Sequence, residues 1–97
     1  MNKSLPILTA LMLTTGAALA APPTDAQTAQ FYAQCMTNSG DNASLCACKR
    51  DLLPKLVDEE FMAVVLSAME GKSLTEAQNK PYGIYISKSN QVCAPGM

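Results

Sequence analysis

From residue 24 to residue 93, apolar side chains recur at intervals of three and four, and short clusters of turn-forming residues break the pattern. That spacing predicts helices with one buried face each. Thr24 followed three positions later by Gln27 forms a capping box, so a first helix is expected from about Asp25 to Asn38. Phe31 and Cys35 lie one turn apart, as do Tyr32 and Met36, and these four make its apolar face. The cluster Asn38-Ser39-Gly40-Asp41-Asn42 ends it.

Asn42 is the expected N-cap of a second helix. Leu45, Cys48, Leu52 and Leu56 share one side, and Cys46, Leu53 and Val57 form a neighbouring strip. Lys49, Arg50 and Asp51 are expected to face water. Pro54 removes a backbone donor and crowds the preceding turn, so a kink there or an end near Leu53 is expected. Asp58 caps a third helix, with Glu59 and Glu60 at the positive end of its dipole. First-turn acidic preference accounts for all three carboxylates without catalysis or metal binding. Val57 and Met62 are spaced as a hydrophobic staple. Phe61, Val64, Val65, Ala68 and Met69 are the expected buried stripe, and Gly71 the residue that closes the helix.

Ser73-Leu74-Thr75-Glu76 reads as a second capping box. Pro81 and Gly83 then interrupt the pattern, and two helical pieces are expected, at about 74–80 and 82–92. Tyr82, Tyr85, Ile86, Ser89, Val92 and Cys93 keep helical spacing. Ile84-Tyr85-Ile86 has strand character, but no other segment offers it a pairing partner. The whole therefore reads as an all-α bundle of four or five short helices.

The N-terminal segment has a different pattern. One lysine, Lys3, precedes a compact apolar run from Leu5 to Leu13, and Ala18-Leu19-Ala20 fits an A-x-A cleavage site. The run is too short for a membrane span, which needs ~20 apolar residues. Residues 1–20 are thus expected to be a signal peptide and residues 21–97 a single small helical domain, periplasmic or secreted. Removing 20 residues from 97 leaves 77. Chains below ~70–80 residues seldom stabilise a fold by burial alone and are often stapled by disulfides or metals.

The four cysteines, Cys35, Cys46, Cys48 and Cys93, supply the staples. An even number in a small exported chain reads as a disulfide framework, and four allow three connectivities. On a helix, residues two apart point about 200° away from each other. Cys46 and Cys48 therefore address different neighbours. Cys35 and Cys46 sit symmetrically about the Gly40-Asp41 turn, which favours Cys35–Cys46 with Cys48–Cys93. Cys35–Cys48 with Cys46–Cys93 is the second arrangement.

Composition removes several function classes. The chain has no histidine and no tryptophan, so Ser-His and Cys-His nucleophile pairs are excluded. Of seven basic residues Lys3 leaves with the signal, so six face eight acidic ones, for a net charge of −2. No basic footprint marks a nucleic-acid partner. No catalytic residue, cofactor or metal site is expected. A non-catalytic binding or accessory role in the envelope, toward a protein or an apolar ligand, is the leading expectation. The alternative uses the C-x-C pair, Cys46 and Cys48, for thiol–disulfide exchange or for soft-metal (copper) handling. Against exchange stands the absence of predicted strands for a thioredoxin-like frame. Against copper stands the scatter of Met36, Met62, Met69 and Met97, which suits core filling.

Overall fold

The computed structural model describes residues 20–96, and the expected signal peptide lies outside them, Ala20 excepted. Four helices follow in order: α1 (Asp25–Ser39), α2 (Ala43–Leu56), α3 (Glu59–Met69) and α4 (Glu76–Cys93). Among the described residues there is no strand, and no helix is long and apolar enough to cross a membrane. The molecule is an all-α bundle stapled by two disulfides.

Local chemistry sets most of the boundaries. At the start of α1 the Thr24 hydroxyl accepts from the Gln27 N–H at 3.0 Å, and the Gln27 side chain accepts from the Thr24 N–H at 3.0 Å. Two of the helix's orphan donors are thereby satisfied. At its end Gly40 takes the left-handed conformation (φ 69°), and Asp41 follows it at φ 64°. Short polar side chains tolerate that region better than branched ones. The Asn42 side chain then accepts from the Leu45 N–H at 3.1 Å and opens α2. Asp58 does the same for the Phe61 N–H of α3, at 2.8 Å. Gly71 (φ 88°) closes α3 as expected.

Pro54 and Pro81 both lie inside helices. α2 continues past Pro54 to Leu56, neither stopping at Leu53 nor leaving a separate piece. Pro54 is exposed and only two residues from the helix end, so little of the helix follows the hydrogen bond it removes from the Arg50 carbonyl. α4 is one continuous helix rather than two pieces at 74–80 and 82–92. Its cap is Thr75, paired with Gln78, not Ser73. That choice puts Pro81 early in the helix, where the unpaired Ala77 carbonyl belongs to the exposed first turn. It also leaves Glu76 in the first turn, beside the positive end of the dipole.

The core draws on every helix: Phe31 and Cys35 from α1, Cys46 and Leu53 from α2, Met62, Val65 and Leu66 from α3, and Tyr85 from α4, with Val57 between α2 and α3. On α2 the buried strip is Cys46–Leu53–Val57, while Leu45, Cys48, Leu52 and Leu56 are only half-buried. On α3 the buried face is rotated from the expected stripe. Met62, Val65 and Leu66 are inside, while Phe61, Val64 and Ala68 are half-buried. Nearly every side chain of this helix after Glu60 is apolar, so spacing alone does not select a face. Val92 is 60% exposed and does not help to dock α4.

Two further ties were not visible in the pattern. The Ala21 carbonyl accepts from the Glu59 N–H at 2.8 Å, and the Gln27 side chain donates to the Glu59 carbonyl at 3.1 Å. The segment before α1 is thus pinned across the start of α3. On α2, Lys49 and Arg50 are half-buried rather than facing water. Lys49 donates to the Asn90 side chain of α4 at 2.6 Å, and Arg50 lies over the Tyr32 ring, 5.0 Å from its centroid. Asp51 is exposed, as expected.

Candidate functional site

The four cysteines are placed by three helices. Cys35 of α1 bonds Cys46 of α2, and Cys48 of α2 bonds Cys93 at the end of α4. The Cα–Cα distance is 5.7 Å in each, within the ordinary range for the bond. The C-x-C pair therefore faces two ways, one sulfur toward the α1–α2 hairpin and the other toward α4. None of the four is a free thiol. No group of three or more Cys, Asp or Glu side chains comes together in a metal-binding arrangement among the described residues. In this oxidised form the C-x-C sulfurs act as covalent anchors.

Packing between the helices leaves a different feature open. α1 packs on α2 and α3, and α4 packs on α2. α4 meets α3 only sparsely. Along that seam lies a groove of about 270 Å³, lined by apolar parts of Leu56, Val57, Phe61, Pro81, Ile84 and Tyr85. Ile84 stands at its lip with 47% of its surface exposed. Asp58 and Lys88 also line it, giving one charge of each sign. Asp58 is held by its capping bond to Phe61, whereas Lys88 is exposed.

Tyr85 divides this groove from a second, smaller cleft of about 170 Å³, which Phe31, Leu45, Met69, Tyr82 and Ile86 also line. The Tyr82 and Tyr85 ring centroids are 6.1 Å apart in a tilted arrangement. Phe31, Met62 and Tyr85 are core, and Phe61 and Tyr82 are half-buried. Phe61 and Tyr85 line the groove together with Ile84, Pro81 and Leu56. Ile84 had one legible sign: it falls off the face that Tyr82, Tyr85, Ile86 and Ser89 share.

Burial raises the Tyr85 phenol well above its ordinary value of 10.0; the nearby Tyr82 adds to this, and a hydrogen bond with Ser89 partly offsets it. Burial also raises Tyr82. The unfolded chain releases these protons near pH 10, while the folded chain retains them to higher pH. The folded state then binds more protons, so stability falls as pH rises above about 10 and is unaffected by these groups below it. Denaturant midpoints measured from pH 8 to pH 12 are expected to show that decline. Tyr85→Phe should remove the larger part of it, and an unchanged slope would contradict the burial of Tyr85.

No family model matches this chain, and neither does any curated protein or solved structure. The fold and the groove define the class, a small disulfide-stapled helical bundle with an open apolar seam between α3 and α4.

Proposed function

We propose that the chain is an exported, non-catalytic binding module of the cell envelope, and that the α3–α4 groove receives an apolar segment of a partner protein. The observation that carries this reading is the exposed Ile84 at the lip of an apolar groove between two helices that barely touch. In so small a bundle a large apolar side chain is more economically buried, and a groove with few polar groups suits an apolar occupant. The two disulfides suggest an oxidising compartment. Ala18-Leu19-Ala20 supports export with Ala21 as the first mature residue.

A photo-crosslinking residue at position 84 tests the groove in the living envelope, with position 44 as the control. Ser44 is exposed on α2, away from the groove. Crosslinks at 84 but not at 44, abolished by Phe61→Asp in a folded protein, are the expected result. Equal crosslinking at both positions would remove the groove from consideration. Intact mass of the same recovered protein checks export: the chain should lack residues 1–20.

A further inference from the structure

The two bridges differ in one respect that has chemical consequences. Cys35 and Cys46 are 7% and 0% exposed, inside the core, whereas Cys48 and Cys93 are only half-buried, at the edge of the α2–α4 contact. Thiol–disulfide exchange requires a thiolate to reach a sulfur, so access separates the two bonds. They also hold different things. Cys35–Cys46 joins neighbouring helices across a separation of 11 residues, while Cys48–Cys93 spans 45 and fixes the far end of α4.

Little else fixes that end. After Ser89, which is fully buried, α4 has no buried side chain: Val92 is 60% exposed, and Asn90 is tied only through its bond to Lys49. Tyr85 and Lys88, a turn or two upstream, form one wall of the α3–α4 groove. We infer that Cys48–Cys93 is a thiol-exchange site for a dithiol reductant, and that its reduction loosens the α4 wall of the groove while the α1–α2 hairpin stays closed.

The chemistry balances with the dithiol as the only co-reactant. Its thiolate attacks one sulfur of the bridge, the S–S bond breaks, and a mixed disulfide forms while the other cysteine leaves as a thiolate. The second thiol of the reductant then attacks the mixed disulfide and frees the remaining cysteine. Cys48 and Cys93 end as thiols, having gained two electrons and two protons, and the reductant ends as a disulfide. The protein is here the target of exchange rather than its catalyst.

Native protein treated with graded dithiothreitol, quenched by alkylation and mapped by peptide mass, tests the first half. Cys48 and Cys93 should be labelled together, with Cys35 and Cys46 labelled roughly tenfold more slowly because access limits exchange. Hydrogen exchange on the partly reduced protein tests the second half. Protection should fall in residues 85–96 and persist in residues 25–39. Cys48→Ser with Cys93→Ser should give the same segment pattern without reductant. Simultaneous labelling of all four cysteines, prior labelling of Cys35 and Cys46, or loss of protection spread over the whole chain would each overturn the inference. So would unchanged protection in residues 85–96.

Discussion

Replacing all four cysteines by alanine is expected to leave the chain without a cooperative thermal transition. By the loop-entropy relation, a bridge across a separation of 11 residues is worth about 3 kcal/mol and one across 45 about 4 kcal/mol. A domain of this size has a net stability of roughly 4–12 kcal/mol at 0.05–0.15 kcal/mol per residue. Loss of both constraints therefore removes most or all of that margin. The Cys35→Ala, Cys46→Ala pair adds a packing loss to the entropy term, because Cys46 is wholly enclosed in the core. Circular dichroism during heating would decide the matter. A sharp transition in the four-alanine chain at the temperature of the native protein would mean that the helices hold together without their staples.

Much of this fold could be read from residue chemistry. Thr24 and Gln27, Asn42, Asp58, and the glycines at 40 and 71 each act through an interaction within a few residues, and each sits where that interaction placed it. The angular separation of Cys46 and Cys48 likewise follows from helix geometry alone. What was not legible depended on comparing local preferences or on distant contacts. Ser73 with Glu76 and Thr75 with Gln78 both satisfy the capping-box pattern, two residues apart. Only the course of the whole helix decides between them. Pro81 and Gly83 carry breaking propensities, but α4 bears them because its other face packs through Tyr82, Tyr85, Ile86 and Ser89.

The groove was less legible still. It exists because α3 and α4 meet only sparsely, and how closely two helices pack is a property of the assembled bundle. No single side chain announces it. Leu56, Phe61 and Ile84 lie on three separate helices, with Ile84 more than twenty residues from the other two. Lys49 shows the same limit from the polar side. Its position on α2 suggested solvent, yet it reaches Asn90 of α4 at 2.6 Å, and partial burial lowers its pKa.

Met62 and Phe61 are adjacent in sequence and should differ sharply on truncation. Met62 has no exposed surface and sits among core residues of all four helices. Met62→Ala removes that burial and leaves a cavity, with an expected cost of about 2–5 kcal/mol. Phe61 is half-buried and forms part of the groove wall, so a share of its ring already meets water. Phe61→Ala should cost less stability than Met62→Ala, although phenylalanine is the larger side chain. Its stronger effect should be on the groove, through lost crosslinking at position 84 in a protein that still melts cooperatively. Urea midpoints for the two variants, measured beside the crosslinking yield, separate the two roles. If Phe61→Ala proved the more destabilising of the pair, the inward face of α3 would be the one that sequence spacing alone predicts, with Phe61 in the core, and the groove would lose its wall.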